Sequence, residues 1–285
     1  MSQALGNLER AVMVADKSDS DTFDVRMFEV GEQPLRVAIR RGPKGRPPLL
    51  LFNGIGASLE LAMPFMRALN HTETIIFDVP GVGGSPKPRG PYRPSTIARL
   101  GARLVTQLGH RRIDVGGVSW GGGIAQQFAH QHYDICRKLV LAATSPGAIM
   151  VPGSPRVLWK MATPRRYLDR EFMLRAAPEI YGGGLRDDPE LVGAISDAVA
   201  GTSHLGYTYQ ILAMAGWTSL PWLWTLKQPT LILAGRDDPI VPLANGRLMA
   251  RMMANARLVI LDEGHLFMVT RPAESAAIVE KFLSE

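Results

Sequence analysis

Gly117, Ser119 and Gly121 form the pattern Gly-x-Ser-x-Gly, which is typical of a serine held on a sharp turn between a strand and a helix. The pattern follows an apolar run at 113–118 and precedes a helical pattern over 121–132. Such a turn leaves no room for side chains beside the serine, and the helix N-terminus directs unpaired N–H groups toward it. Ser119 is therefore predicted to be an exposed nucleophile; the alternative is a glycine-rich turn with a capping serine.

A serine hydroxyl needs a general base in reach and a carboxylate that orients the base. Among the histidines, only His265 lies in a loop directly after a late strand pattern, at 257–261; the others are assigned to the surface or the core. Asp237 and Asp238 follow the strand pattern at 230–234, and the carboxyl ends of parallel strands meet at one edge of a sheet. One of these two aspartates is therefore expected to meet His265.

An oxyanion that forms during attack on a carbonyl needs two backbone N–H donors. The amide of Trp120, directly after the serine, is predicted to be one of them. The second is expected in the loop at 53–56 (Asn-Gly-Ile-Gly), which ends the apolar strand pattern at 48–53. Ile55 N–H is the candidate, and a plain turn is the alternative.

Four of the five tryptophans lie between residues 145 and 227, and the fifth is beside the nucleophile. This distribution predicts an apolar substrate pocket, and we assign Trp159, Trp217 and Phe267 to its wall. The alternative is that the rings form the core of their own segment.

The elements that position these residues alternate between strand and helix patterns. Strand patterns occupy residues 24–30, 35–40, 48–53, 74–78, 113–118, 138–143, 230–234 and 257–261. Helical patterns occupy residues 58–70, 95–108, 121–132, 243–253 and 273–283. Because most of these strands are almost continuously apolar, they predict a mostly parallel, doubly wound sheet covered by helices on both faces, an α/β fold.

The alternation stops over residues 145–227, where Pro, Gly, Met and aromatic residues mix with short helical patterns. We predict a mainly helical cap, or lid, inserted at 145–227. The α/β core is then formed by 24–144 and 228–285, and a polar leader occupies 1–23.

Composition excludes several classes of protein. The chain has 285 residues, of which 46% are hydrophobic and 20% are charged, so it is neither disordered nor fibrous. Its net charge of +6 comes from scattered cations, which predicts a solvated basic surface, or attraction to an anionic surface, and no nucleic-acid partner. Cys136 is the one cysteine, so no intramolecular disulfide forms, and it is interpreted as a small buried filler.

The start of the chain is acidic and lacks the basic and apolar regions of a secretory signal. No window of 18 residues is apolar throughout, which predicts no integral membrane association. We expect a cytoplasmic, soluble protein. No metal-ligand spacing and no dinucleotide fingerprint occurs, so neither metal nor cofactor is expected, and the sequence specifies no oligomeric state.

Several stretches resemble those of one enzyme family. They are LFNGIGA (51–57), FDVPGVGGS (77–85), GVSWGG (117–122), AQQFAH (125–130), PRRY (164–167), IYGGG (180–184) and GHLF (264–267). With them the chain resembles the α/β-hydrolase superfamily, and more closely the intracellular medium-chain-length polyhydroxyalkanoate, or poly(3-hydroxyalkanoate), depolymerases. The leader and residues 196–206 show little likeness to that family.

The resemblance implies an α/β-hydrolase fold and a triad of Ser119, Asp238 and His265. Asp238 is preferred to Asp237 because it precedes Pro239 as in the hydrolase pattern, and Asp237 is expected to face solvent. The implied substrate is a polyester of 3-hydroxy fatty acids, which is stored in granules and is cleaved to free acids or oligomers through an acyl-enzyme. The protein would then act at the granule surface.

Two other functions stay open at this point. One is a soluble carboxylesterase or lactonase that acts on small esters, and the other is a non-catalytic hydrolase-like protein that binds a ligand. Haloalkane dehalogenase and epoxide hydrolase chemistry is disfavoured, because those members of the fold carry an aspartate where Ser119 stands.

Overall fold

A single eight-stranded sheet forms the centre of the computed structural model, which describes residues 23–43, 45–163, 165, 169–199 and 203–285. In chain order its strands are β1 (Asp24–Val30), β2 (Gln33–Arg40), β3 (Leu49–Phe52), β4 (Thr74–Phe77), β5 (Ile113–Val118), β6 (Cys136–Ala142), β7 (Thr230–Gly235) and β8 (Ala256–Leu261). The strand patterns of the sequence are all confirmed, and their ends agree within two residues.

The strands lie in the order β1-β2-β4-β3-β5-β6-β7-β8 across the sheet. From β4 onward, neighbouring strands run parallel, whereas β2 is antiparallel to both β1 and β4. Every residue of β3, β4 and β7 is buried, as in a strand that is covered on both faces. The predicted α/β class with a mostly parallel sheet is confirmed.

Helices connect the parallel strands and cover both faces of the sheet. They are α1 (Met63–Ala68), α2 (Pro94–Gln107), α3 (Trp120–Gln131), α4 (Pro155–Ala162), α5 (Arg170–Tyr181), α6 (Pro189–Val199), α7 (His204–Met214), α8 (Leu243–Met252), α9 (Phe267–Thr270) and α10 (Pro272–Ser284). Side chains alternate along β3, so Leu50 and Phe52 pack in the apolar layer with α2 and α3. Leu49 and Leu51 pack in the opposite layer with α1 and α10.

The prediction of one helix over 58–70 was wrong in one respect, because the structure divides this stretch into two helical pieces. A 3₁₀ turn at Leu59–Ala62 is followed by α1, and Pro64 lies in the first turn of α1. Proline has no N–H to donate to the preceding turn, so an uninterrupted α-helix is disfavoured there and a new helix begins.

The chain between β6 and β7 carries helices α4 to α7 and, over the residues that the structure describes, adds no strand to the sheet. Helices α4, α5 and α6 contribute to a separate apolar cluster, which includes Val157, Met173 and Ile195 and also Ile240, from the turn after β7. A cap at 145–227 would need such a cluster, and the division of the chain into core and cap stays a prediction.

Two predicted features fall largely outside the described residues. Of the leader at 1–23, only Phe23 is described, and its buried ring lies 5.4 Å from the guanidinium carbon of Arg67. Of the PRRY stretch at 164–167, only Arg165 is described. Within the described ranges, no helix combines the length and the apolarity that a membrane crossing requires.

The carboxylate of Asp78, directly after β4, joins the loops that follow β3 and β4. It accepts hydrogen bonds from the amide nitrogens of Leu59 at 2.7 Å and Gly84 at 2.8 Å, and Arg36 Nη1 lies 3.3 Å from it. Burial raises the pKa of Asp78 to about 6. Asp78 therefore anchors both loops.

The substitution Asp78→Asn should remove a pH-dependent part of the stability. An unfolded Asp has a pKa of about 4, so between about pH 4 and 6 the folded wild type binds more protons than the unfolded chain and its free energy of unfolding falls as the pH rises. The variant lacks this fall. Urea unfolding at pH 4, 5, 6 and 7 should show the wild type losing up to about 3 kcal/mol relative to Asp78→Asn. A constant difference across this range would contradict the raised pKa.

Cys136 should be unreactive in the folded protein. Its side chain is 5% exposed, and burial, with a smaller contribution from Asp114, raises the pKa of the thiol. Because the thiolate is the reactive form, we expect no measurable reaction with dithionitrobenzoate at pH 8. After unfolding in guanidinium chloride, one thiol per chain should react. Fast labelling of the native protein would show that the start of β6 is open to solvent.

Candidate active site

Ser119 occupies the turn between β5 and α3, in a backbone conformation that is rare for a residue with a side chain. Its φ is 53° and its ψ is −117°. Among the described non-glycine residues, only Ser119 and Ala143 have a positive φ. Such a conformation costs of the order of 1–3 kcal/mol and persists where the surroundings impose it, often at functional sites.

The flanking glycines are needed because backbone passes directly over them. A Cβ on Gly117 would lie 2.2 Å from the carbonyl oxygen of Gly121. A Cβ on Gly121 would lie 2.1 Å from the carbonyl oxygen of Phe52 and 2.5 Å from that of Asn53. No side chain fits at either position, so α3 enters directly against the end of β3.

Hydrogen bonds hold the backbone of Ser119 from the side of β6. Its amide donates to the carbonyl of Ala142 at 2.9 Å. Its carbonyl accepts from Thr144 Oγ1 at 2.7 Å and from the amide of Gly122 at 2.9 Å. The turn is therefore fixed to the sheet on one side and to α3 on the other.

Asp238 and His265 form a buried hydrogen bond. His265 Nδ1 lies 2.7 Å from Asp238 Oδ2, and the two residues are 3% and 6% exposed, respectively. The other carboxylate oxygen accepts from the amides of Ile240 and Val241, both at 2.9 Å. With both oxygens engaged in this way, Nδ1 is the protonated nitrogen and Nε2 is left as an acceptor.

The loop that carries His265 is also held by the C-terminus of α5. The amide of His265 donates to the carbonyl of Tyr181 at 2.7 Å, and the two rings stack with centroids 6.4 Å apart. A Cβ on Gly264 would lie 2.2 Å from the same carbonyl oxygen. The imidazole is thus positioned by β8 on one side and by α5 on the other.

The neighbouring aspartates point elsewhere. Asp237 pairs with Arg186 and accepts from the amide of Gly183 at 3.0 Å, and its side chain is half exposed. Asp262 is exposed and pairs with Arg236. Of the carboxylates near the end of β7, Asp238 is the one that contacts the histidine.

Ser119 and His265 line one cavity at the carboxyl ends of the parallel strands. Most of its wall is apolar. The lining residues are Leu51, Asn53, Gly54, Ile55, Ala57, Leu61, Ala62, Phe65, Val118, Ser119, Met161, Tyr181, His265, Leu266, Met268 and Val269. Such a cavity suits an apolar ligand whose reacting group reaches a few polar atoms.

The two candidate oxyanion donors belong to turns that border this cavity. Trp120 is the first residue of α3, so its amide is among those that a helix leaves without an intrahelical acceptor. Ile55 lies in a tight turn in which the amide of Ala57 donates to the carbonyl of Gly54 at 3.2 Å. Asn53 Nδ2 holds this turn through a 2.7 Å hydrogen bond to the carbonyl of Ser58.

The aromatic residues assigned to the pocket lie elsewhere. Trp159 is 68% exposed on α4, Trp217 donates from Nε1 to Gln127 Oε1 at 2.8 Å, and the fully buried Phe267 packs in the core beneath the sheet. The short helix α9 explains Phe267, because it directs that ring to the core while Met268 lines the cavity. The sequence contained too short a pattern there to indicate a helix.

The apolar wall of the cavity was not predicted from the sequence. Leu61 and Phe65 follow the candidate oxyanion loop four residues apart, and Leu266, Met268 and Val269 follow His265. The spacing of the first pair was the available signal, since residues at i and i+4 share one face of a helix.

The comparisons with known proteins agree with this fold. A family model described as alpha/beta hydrolase fold matches residues 47–272. The chain belongs to the α/β-hydrolase fold family.

Within that class, the chain is 52% identical to a poly(3-hydroxyalkanoate) depolymerase of Ectopseudomonas oleovorans. The match extends over 261 residues, which are 91% of this chain and 92% of the relative. It is 27% identical to 3-oxoadipate enol-lactonase 2 of Acinetobacter baylyi, over 81% of this chain and 86% of that protein. The crystal structure of the enol-lactonase from Burkholderia xenovorans LB400 superimposes with a TM-score of 0.79 at 25% identity, covering 91% of this chain and all of that one. The resemblance to poly(3-hydroxyalkanoate) depolymerase is confirmed.

The substitution Gly121→Ala should destabilise the protein, because its methyl group has no space between α3 and the end of β3. We expect a loss of about 3 kcal/mol in the free energy of unfolding, measured by urea titration. Gly193→Ala is the matched control, since a Cβ there meets nothing within 4 Å and alanine favours the helix. Equal stability of the two variants would contradict the close contact.

Proposed function

We propose that this chain is a serine ester hydrolase that cleaves poly(3-hydroxyalkanoate) to 3-hydroxy fatty acids or oligomers. The observation that carries the proposal is the buried His265–Asp238 hydrogen bond beside a cavity that Ser119 also lines. The similarity to a poly(3-hydroxyalkanoate) depolymerase supports the choice of ester and agrees with the function predicted from the sequence. In this proposal Ser119, Asp238 and His265 are the catalytic triad.

Acylation begins when Ser119 Oγ attacks the carbonyl carbon of the ester and His265 Nε2 accepts the hydroxyl proton. The tetrahedral intermediate then breaks its bond to the 3-hydroxyl oxygen of the departing chain. That oxygen takes the proton from Nε2, and the acyl group stays on Ser119. Asp238 holds the ring in the tautomer that leaves Nε2 free to accept and stabilises the imidazolium that forms.

Charge on the carbonyl oxygen is balanced by two backbone donors. We assign these roles to the amides of Trp120 and Ile55, one from the turn after β5 and one from the turn after β3. Preorganised donors of this kind are worth about 10²- to 10³-fold in rate each.

Deacylation repeats the same steps with water as the nucleophile. His265 Nε2 takes a proton from the water while its oxygen bonds to the acyl carbon. The intermediate releases Ser119 Oγ, which recovers the proton, and the product leaves as a free carboxylic acid. Atoms and charge therefore balance without a cofactor.

The chemistry of the cavity wall supports a medium-chain substrate. Leu61, Phe65, Met161 and Val269 offer contacts to the alkyl side chain of a 3-hydroxy acid. We propose that residues 145–227 form the cap, because Met161 and Tyr181 close the cavity from that side. The protein would work in the cytoplasm at the surface of polyester granules.

The substitution Ser119→Ala should lower the release of 3-hydroxy acids from medium-chain polyester granules by about 10⁴-fold or more. Removal of the single Oγ atom from the partly buried Ser119 should leave the urea midpoint unchanged, and Ser284→Ala, at an exposed serine of α10, should keep full activity. A purified Ser119→Ala protein with wild-type activity would overturn the triad.

Short-chain granules and nitrophenyl esters, measured beside medium-chain granules, separate the alternatives. Faster cleavage of medium-chain polymer supports the proposal, whereas activity on small esters alone would indicate a carboxylesterase or lactonase. A wild-type protein that a fluorophosphonate does not label at Ser119 would be a ligand-binding protein.

A further inference from the structure

Gln210 lies on α7 and contacts both turns that carry the proposed oxyanion donors. Its Oε1 accepts the amide of Gly56 at 2.8 Å, and Gly56 directly follows Ile55. Its backbone carbonyl accepts the indole Nε1 of Trp120 at 2.9 Å. Thus one residue of the segment between β6 and β7 is hydrogen-bonded to the loop after β3 and to the residue after the nucleophile.

The environment of Gln210 makes these contacts difficult to replace. The residue is 1% exposed, so water does not substitute for a lost acceptor. Its Nε2 is buried and has no hydrogen-bond partner among the described residues. A buried amide with one unsatisfied nitrogen costs stability. An apolar side chain of the same size would fill this space without that cost. The presence of glutamine therefore favours a role for its Oε1 atom.

Helix α7 is itself held against the core on both sides of Gln210. A Cβ on Gly206 would lie 2.0 Å from the carbonyl oxygen of Gly81, and Ser203 Oγ donates to the same oxygen at 2.8 Å. Toward the other end, the methyl group of Met214 would lie 2.8 Å from a Cβ on Gly123 in α3. The helix therefore provides a fixed point from which Gln210 reaches the two turns.

The 53–56 loop needs such a fixed point because two of its residues are glycines. Gly56 has a φ of +70°, and glycine peptides rotate with little steric resistance. The hydrogen bond to Gly56 N–H sets the peptide plane that follows Ile55, and so limits the rotation of Ile55 and its own amide. An oxyanion donor is effective only when its direction is set before the charge develops.

We infer that Gln210 is a positioning residue for the oxyanion hole: its Oε1 holds the peptide that follows Ile55, and its backbone carbonyl holds the indole of Trp120, so that both donor turns keep their working orientation. The inference rests on the proposed function, because it assigns Gln210 a part in the same reaction. It makes the placement of α7 a condition for fast acylation. Binding of the uncharged ester depends on the apolar wall and is not expected to change.

The test is the substitution Gln210→Met, which keeps the size of the side chain and removes the Oε1 acceptor of the Gly56 amide, while the backbone carbonyl that accepts Trp120 Nε1 stays in place. With a medium-chain nitrophenyl ester, kcat per active site, titrated with a fluorophosphonate, should fall about tenfold or more while KM stays within about twofold. The affinity for a trifluoromethyl ketone, which forms an oxyanion on Ser119, should fall by the same factor as kcat. If Gln210 only stabilised the fold, the folded fraction of the variant would bind the ketone with the wild-type affinity.

Gln228→Met is the matched control. Gln228 is also buried, donates from Nε2 to a single backbone carbonyl, that of Ala129, at 2.9 Å and has an unpartnered Oε1. It precedes β7, at the end of the sheet opposite the cavity. We expect this variant to lose stability and to keep the wild-type kcat and ketone affinity.

If Gln210→Met does not fold, Trp120→Phe tests the second hydrogen bond, since it removes the indole donor together with the five-membered part of the ring; it should lower kcat and ketone affinity in parallel. The inference would be overturned if Gln210→Met, or Trp120→Phe in its place, kept the wild-type kcat and ketone affinity. In that case a wild type that is active and labelled by the fluorophosphonate would leave the proposed function intact. A wild type without ester hydrolysis or fluorophosphonate labelling would instead overturn the proposed function.

Discussion

The site depends on a backbone contact between α3 and the end of β3. Gly121 lies directly against the carbonyls of Phe52 and Asn53, so no side chain separates the turn of Ser119 from the 53–56 loop. The apolar layers on the two faces of β3 fix the position of the strand. Because Gly121 touches the end of β3, the start of α3 is fixed as well. The packing of the core therefore sets the distance between the candidate nucleophile and the candidate oxyanion loop.

The other half of the site is assembled after the chain has returned from the segment between β6 and β7. That segment contacts both halves: α5 binds the amide of His265 through Tyr181, and α7 binds Gly56 and Trp120 through Gln210. These are backbone or buried hydrogen bonds with little access to water. The segment between β6 and β7 is thus part of the scaffold of the site as well as a wall of its cavity.

The strands, Ser119 and His265 were predictable because their signals are local, whereas the choice of Asp238 over Asp237 came from the family resemblance. Buried parallel strands are apolar runs, the serine turn carries its glycines, and Asp238 and His265 follow strands that end at the same edge. The lining of the cavity was not predictable, because Phe267 and Met268 differ only in the direction that the short helix α9 gives them. Gln210 carried no signal either, since its partners are distant in sequence and only the packing of α7 brings them together.

The contact between Gly81 and Gly206 limits how this architecture can be recombined. A methyl group on either glycine would meet the other chain segment within 3 Å, at 2.9 Å and 2.0 Å respectively. A chimera that takes the segment between β6 and β7 from another hydrolase would need a glycine at the position of Gly206, where the two chain segments touch. Without this glycine, the grafted helix could not approach the loop of Gly81 closely enough. Even a donor segment whose pocket suits the substrate would then be misplaced relative to the core.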